Sequence, residues 1–355
     1  MTTLAAVHGV LPPHRYPQSE LTDLFVRLCP VNGQDTLVRR LHASANVATR
    51  HLALPIESYP GLAGFTAAND AFIDVGVELG VQAVAGALAR AGLTVDDVDM
   101  IMSTTVTGIA VPSLDARIAG RLGLRPDVKR IPIMGLGCVA GAAGIARVHD
   151  YLAGHADGVA VLVSVELCSL TIQRDDPTVA NLVASGLFGD GAAAVVLVGD
   201  GRQPVGDDRW PAGPTVVATK SHLYPDSERA MGWDVKDSGL KIVLGVEVPD
   251  LVRTYLAADV DGLLAEHGLS VGDVHTWICH PGGPKVIDTI QSVLGLDDAA
   301  LALTRRSLHD IGNLSSASVL HVLRDTLAMR PPTGGWAVLM AMGPGFCSEL
   351  VLLRW

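Results

Sequence analysis

The sequence predicts an α/β protein built from two similar halves, with helices packed on the faces of its sheets. Segments with apolar residues at helical spacing alternate along the chain with short apolar runs of strand length. The chain also repeats itself: Gly92-Leu93-Thr94-Val95-Asp96-Asp97-Val98 matches Gly268-Leu269-Ser270-Val271-Gly272-Asp273-Val274 at Gly, Leu, Val, Asp and Val, with Thr answered by Ser, 176 residues later. In both copies a helical stretch reaches a glycine, turns, and gives way to an apolar run. The halves are placed at residues 1–200 and 201–355, related by a pseudo-two-fold axis, with the Gly/Pro-rich segment 199–214 as their seam.

Taken in order, residues 4–10 read as an opening strand and 19–28 as a helix. Residues 70–91 carry Ile73, Val77, Val81, Val84 and Leu88 at helical spacing, with Asn69 as the expected N-cap and Gly92 as the stop. A strand is expected at 99–105 and another at 131–134. The latter runs into Gly135-Leu136-Gly137-Cys138-Val139-Ala140-Gly141-Ala142-Ala143-Gly144, read as a tight turn and a small-residue helix reaching Tyr151. Buried strands follow at 159–165 and 192–198, the second preceded by Phe188-Gly189-Asp190-Gly191. In the second half, the strand 276–279 ends at His280.

Composition narrows the function. With 355 residues the chain can fill a sizeable core. Although 49% of residues are hydrophobic, no continuous apolar run reaches the roughly eighteen residues of a membrane span, and the N-terminus lacks the charged-then-apolar pattern of a secretory signal. A net charge of -11 argues against nucleic acid or an anionic membrane as the main partner. The cysteines Cys29, Cys138, Cys168, Cys279 and Cys347 are odd in number and hold no CxxC pair. Neither a disulfide framework nor a tetrahedral zinc site is indicated, and a cytoplasmic location is expected.

Three residues stand out for chemistry. Cys138 falls at a helix start, where peptide dipoles favour an anion, so its thiol pKa is expected to fall. On this stretch alone, a nucleophile and an ordinary buried cysteine are equally good readings. His280, in Trp277-Ile278-Cys279-His280-Pro281-Gly282-Gly283-Pro284, sits at a strand end, where α/β proteins bind ligands; imidazole is also the usual partner of a reactive thiol. Asn313, in Gly312-Asn313-Leu314-Ser315-Ser316-Ala317-Ser318, reads by itself as a helix N-cap. The repeat links them, because the position 176 residues after Cys138 is Leu314, beside Asn313, in a second turn that leads into a helix. Equivalent turns meeting at a pseudo-axis would bring Cys138, His280 and Asn313 into one site. Arg39, Arg40 and Arg50 form the densest early basic cluster, a pattern usual for a solvated helix face.

Gly137-Cys138-Val139-Ala140-Gly141, Leu187-Phe188-Gly189-Asp190-Gly191-Ala192, His280-Pro281-Gly282-Gly283, Gly312-Asn313-Leu314-Ser315-Ser316-Ala317 and Gly343-Pro344-Gly345 stand in the order found in type III polyketide synthases. Over nearly its whole length the chain resembles that family, the chalcone-synthase-like branch of the thiolase superfamily. The resemblance implies a thiolase-like α-β-α-β-α arrangement, Cys138 as the acyl-carrying nucleophile, and His280 and Asn313 as its partners. It implies a homodimeric enzyme with CoA thioesters as substrates and no cofactor. An acyl starter, from acyl-CoA or an acyl carrier protein, would move to Cys138, and malonyl-CoA or a substituted malonyl-CoA would extend it by decarboxylative condensation.

The same resemblance assigns the pocket. Phe188 matches a gate phenylalanine, and Ile242 falls where the family's second gate phenylalanine stands. Thr171 and Ser315 match small polar cavity positions, and Trp233 stands where plant members carry glycine. Val111 matches the residue that enters the partner subunit's cavity, and Arg39 and Arg40 fall near the basic residues for CoA phosphates. Residues 107–117 are more like bacterial alkylpyrone synthases, with germicidin-type enzymes the nearest fit. Aromatic content is 4%, so an aliphatic starter and an alkyl α-pyrone product are expected. A ketoacyl-ACP synthase III-like enzyme shares the Cys, His and Asn set, but the Phe188 and Gly343-Pro344-Gly345 contexts argue against it. A Cys-His-Asn hydrolase is the alternative of another class, and a buried nucleophile turn argues against that.

Overall fold

In the computed structural model, which describes residues 1–29, 33, 35–62, 64–202 and 213–355, the chain opens with β1 (Thr2–Val10). Most of the expected seam, residues 203–212, lies outside the described residues. A short antiparallel pair, β2 (His14–Pro17) and β3 (Thr49–Leu52), encloses α1 (Gln18–Leu28) and α2 (Asp35–Ser44). The first half continues with α3 (Gly64–Ala91), β4 (Met100–Thr105), α4 (Leu114–Leu122), β5 (Lys129–Met134), α5 (Ala140–Ala153), β6 (Val159–Leu167), α6 (Val179–Leu187) and β7 (Asp190–Gly199). The second half comprises β8 (Thr215–Leu223), the hairpin β9 (Met231–Lys236) and β10 (Gly239–Leu244), α7 (Val248–Ala265), β11 (Val274–Cys279), α8 (Pro284–Leu294), α9 (Ala302–Ile311), α10 (Ser316–Ala328), β12 (Trp336–Gly343) and β13 (Cys347–Arg354).

Nine strands are ordered β11-β12-β13-β8-β1-β7-β6-β4-β5. Apart from the edge strand β5 the order is symmetric about β1 and β8, which pair at Thr2 with Val216 and at Thr3 with Thr215. Outward from β1 come β7, β6 and β4; outward from β8 come their counterparts β13, β12 and β11. Helices α5 and α10 pack on each other and on strands of both halves, forming a central layer. Helix α3 covers the outer side of β1, β7 and β6, and α7 covers β13 and β8. The result is the expected five-layer α-β-α-β-α arrangement.

Strand periodicity explains how two layers are held at once. In β6, Val159, Val161, Val163 and Val165 join the core under α3, while Ala160 and Leu162 join the core around α5 and α10. In β13, Leu350 and Leu352 face the α7 side and Val351 and Leu353 the central layer. Burial on both faces is why these strands read as continuous apolar runs. Helix α3 is long and apolar enough to cross a membrane, yet Phe72, Val84 and Leu88 are buried in the protein core.

The repeat has a structural cause. Gly92 and Gly268 adopt φ of 66° and 68°, and each is followed by a capping box, Thr94 with Asp97 and Ser270 with Asp273. The matched Thr/Ser and Asp positions are the caps. Helices α5 and α10 begin 176 residues apart, the spacing of the sequence match. The expectation for Asn69 needs correcting: α3 begins at Gly64, and Asn69 lies inside it. Its amide instead donates to the Ile109 carbonyl and accepts from the Ile109 N–H, both at 2.8 Å.

Candidate active site

Cys138 sits in a single 3-10 turn, Gly137–Val139, between β5 and α5. Gly137 has φ of 54°, and a Cβ there would lie 2.8 Å from the Pro344 ring. A Cβ on Gly343 would lie 2.6 Å from the Leu136 carbonyl oxygen and 2.7 Å from the Val139 nitrogen. The Gly-Cys motif and the Gly343-Pro344-Gly345 motif are therefore one packing unit, and glycine is what permits the approach.

The second turn faces the first. Ser315 has a left-handed φ of 47°, stabilised by its N–H donating to Asn313 Oδ1 at 2.8 Å. This places the Ser315 hydroxyl 3.7 Å from Cys138 Sγ. Asn313 Nδ2 donates to the Gly282 carbonyl at 3.3 Å, which joins the turn after α9 to the loop after β11. The His280 N–H continues the ladder by donating to the Met340 carbonyl at 2.9 Å, while neither ring nitrogen has a hydrogen-bond partner among the described residues. Cys138, His280, Asn313 and Ser315 line one cavity of about 370 Å³ together with Phe188, Trp233 and Ile242.

Electrostatics correct one expectation. Burial pushes the Cys138 thiol up to about 12, with the Ser315 hydrogen bond opposing and the Glu166 charge adding to the rise. Burial lowers His280 to about 3. Desolvation thus opposes the dipole of a helix start and favours a neutral thiol and a neutral imidazole in the resting site.

The model of the N-terminal domain of chalcone and stilbene synthases matches residues 1–201, and that of the C-terminal domain matches 215–355. The chain belongs to the chalcone and stilbene synthase family. It is a type III polyketide synthase, an enzyme of decarboxylative condensation. A 1,3,6,8-tetrahydroxynaphthalene synthase of Streptomyces peucetius subsp. caesius is 57% identical, over 100% of this chain and 93% of that protein. The crystal structure of the 1,3,6,8-tetrahydroxynaphthalene synthase of Streptomyces coelicolor A3(2) superposes with a TM-score of 0.92 at 32% identity, covering 99% of each chain. Germicidin synthase from Streptomyces coelicolor gives a TM-score of 0.90 at 23% identity over 100% and 99% of the two chains, which shows a shared fold alone.

In this synthase the pocket positions separate into two groups. Phe188, Trp233 and Ile242 also line a smaller inner chamber of about 50 Å³, whose wall includes Thr171, Ser169, Tyr59 and Arg50. Val111 is 89% exposed and lies outside the cavity wall of its own chain. Arg39 pairs with Asp23 at 2.7 Å on the surface, and Arg40 is exposed. Neither lines the cavity, although Leu41 and Ser44 of α2 and the next residue, Ala45, do. Lys285 does line the cavity, and the sequence reading passed over it although it follows His280-Pro281-Gly282-Gly283-Pro284 directly.

Glu166 was missed as well. It is fully buried and accepts from Ser316 Oγ at 2.5 Å, Thr107 Oγ1 at 3.0 Å and the Val106 N–H at 3.1 Å. Burial raises its pKa. The signal was a lone carboxylate at the end of an apolar strand.

Proposed function

We propose that this synthase makes a polyhydroxylated aromatic of the 1,3,6,8-tetrahydroxynaphthalene type from malonyl-CoA, with Cys138, His280 and Asn313 as its catalytic residues. The observation that carries the product class is the 57% identity, over the whole chain, to a tetrahydroxynaphthalene synthase. The named compound has oxygen on alternate perimeter carbons, as five two-carbon units joined head to tail would leave after one oxygen departs as water in ring closure. A malonyl starter suits that closure, because its CH2 lies between two carbonyl carbons and is acidic enough to attack the chain's thioester before CO2 is lost.

Loading begins with a neutral pair. As a thioester arrives, the Cys138 proton passes to His280, sulfur attacks the carbonyl, and the proton leaves with the CoA thiolate. For extension, the malonyl C–C bond to the carboxylate breaks, CO2 departs, and the electron pair becomes an enolate on the CoA thioester. His280 and the Asn313 amide supply donors to that oxygen, each worth about 2.7–4 kcal/mol. Asn suits this place because a carboxylate would repel the enolate. The enolate carbon attacks the Cys138 thioester and the Cys138 thiolate leaves, and the sequence repeats. Lys285, at the cavity wall, is the candidate contact for CoA phosphates, ahead of Arg39 and Arg40. The active form is a homodimer, in which exposed Val111 reaches the partner.

An alkyl α-pyrone from an aliphatic starter is the second reading. It is favoured by the apolar cavity lining, which includes Val179, Leu187, Leu244, Val248 and Met342.

The deciding experiment incubates the protein with malonyl-CoA alone and with a panel of acyl-CoAs, and identifies products by mass. Malonyl-CoA alone should yield the ten-carbon tetraol or its oxidised quinone. Pyrones formed only when acyl-CoA is present overturn the aromatic assignment in favour of the second reading. Strict dependence on acyl carrier protein with one condensation would indicate the ketoacyl synthase type. Product formation that survives Cys138→Ala would remove Cys138 as the acyl carrier.

A further inference from the structure

Arg50 of β3 is only 5% exposed. Its Nη1 donates to the carbonyls of Ser185, at 2.7 Å, and Phe188, at 2.8 Å. Its Nε donates to Gln18 Oε1 at 2.9 Å, and Gln18 in turn donates to the Gly186 carbonyl at 2.6 Å. The C-terminal end of α6, with the residue that follows it, is therefore held from one side by a single buried cation and its supporting amide, the end where a cation complements the helix dipole.

That segment is also bonded to Asn313. The Gly189 N–H donates to the Asn313 carbonyl and the Asn313 N–H donates to the Leu187 carbonyl, both at 2.9 Å. Phe188 and Asn313 thus form an isolated two-residue bridge. The Arg50 stem runs across both flanks of that bridge: a Cβ on Gly312 would lie 3.2 Å from Arg50 Cγ, and one on Gly189 would lie 3.6 Å from it. Apolar packing alone would not call for a guanidinium here, because burying a charge is expensive and apolar replacements are often tolerated. Burial lowers Arg50 to about 10, so it stays protonated at neutral pH, with the Asp190 charge favouring its charged form. The fork geometry is what an apolar residue or a lysine cannot reproduce.

We infer that Arg50 is a positioning residue for the condensation: by fixing the carbonyls of Ser185 and Phe188 it holds the bridge that orients the Asn313 amide. It acts through Asn313 and touches no reacting atom. The inference rests on the enolate role given to Asn313 above.

The test is a double-mutant cycle read on malonyl-CoA decarboxylation, with CoA affinity by calorimetry as the control for a step that does not need Asn313. Arg50→Gln should lower kcat for decarboxylation by about tenfold or more, since an ångström of misplacement can cost up to about a hundredfold. KM and CoA affinity should stay within about twofold, and Arg50→Lys should fall between wild type and Arg50→Gln. On an Asn313→Ala background, Arg50→Gln should change decarboxylation by less than about twofold, because its target is already gone. A loss that persists undiminished on that background overturns the inference, as does a parallel loss of CoA affinity. Circular dichroism checks folding; if Arg50→Gln does not fold, Arg50→Lys carries the same cycle with the charge retained. Failure of the underlying reading looks different: Asn313→Ala alone would then leave decarboxylation intact.

Discussion

Trp233 and Ile242 are direct cross-strand partners in the β9–β10 hairpin, and both line the main cavity and the inner chamber. By the resemblance these two positions carry glycine and phenylalanine in plant members, a difference that one exchange across the ladder would account for. Residues paired across a ladder share one face and compete for one volume. Trp233→Gly should therefore admit bulkier starters and change the product masses. Ile242→Phe in the presence of Trp233 should overfill the site at about 1–3 kcal/mol of stability. The double variant Trp233→Gly/Ile242→Phe should recover stability and much of the turnover. Product profiles and melting temperatures of the three variants check this, and additive losses in the double variant would sink the exchange.

The neutral resting pair predicts a distinctive pH profile. With the Cys138 thiol at about 12 and His280 at about 3, the free enzyme holds little thiolate at neutral pH. Alkylation of Cys138 should rise by about tenfold per pH unit from pH 6 to 9 without a plateau, because only the thiolate reacts. The rate is measured by mass on the Cys138 peptide, apart from the other four cysteines. A flat profile across this range would show a preformed thiolate–imidazolium pair instead.

Much of this organisation was legible from residue order alone. Strands such as β6 and β7 are buried on both faces and so read as apolar runs, and the caps after Gly92 and Gly268 exposed the duplication because capping chemistry is local. The paired turns, and with them the meeting of Cys138 and Asn313's neighbour Ser315, followed from that repeat. What stayed hidden is long-range. Hairpin β9–β10 is short and only partly buried, so its period is weak, and the facing of Trp233 and Ile242 depends on register. Arg50 looked like part of a solvated basic cluster because its partners Ser185 and Phe188 lie more than a hundred residues away. The thiol expectation failed for a related reason: a helix dipole is visible in sequence, whereas the desolvation that opposes it is a property of the assembled core.

Three buried histidines predict acid lability. His42, His280 and His321 are each lowered by burial to about 3, from 6.5 in the unfolded chain. As pH falls below 6.5 the unfolded chain takes up protons that the folded chain refuses, so stability is lost from 6.5 down toward 3. At pH 5 the loss is about 2 kcal/mol for each histidine. Asp190 opposes this: its folded pKa is raised to about 6 from 3.8, so it adds stability as pH falls through that window, by about 1 kcal/mol at pH 5. The raised carboxyls of Glu166 and Glu349 act in the same direction as Asp190, and the lowered His8, His51 and His149 in that of the three buried histidines. Urea titrations at pH 7, 6 and 5 should show a steep decline, with His321→Gln shallower than wild type; equal slopes would contradict the assignment.

The close approach of the two central helices can be tested at one atom. A Cβ on Gly141 of α5 would lie 2.4 Å from the Ser316 carbonyl oxygen and 2.6 Å from Val319 Cγ1. The first of these is backbone, at the start of α10 and next to Ser315, so relief requires the second turn to move away from Cys138. Gly120 of α4 is helical and exposed, and nothing lies within 4 Å of its would-be Cβ. Gly120→Ala should leave turnover unchanged and raise stability by up to about 1 kcal/mol through helix propensity. Gly141→Ala should instead destabilise by about 1–3 kcal/mol and lower turnover of the protein that remains folded. Melting temperature and turnover of the two variants, compared side by side, separate a generic glycine effect from this contact. Equal behaviour would mean that the distance between the two turns does not control the site.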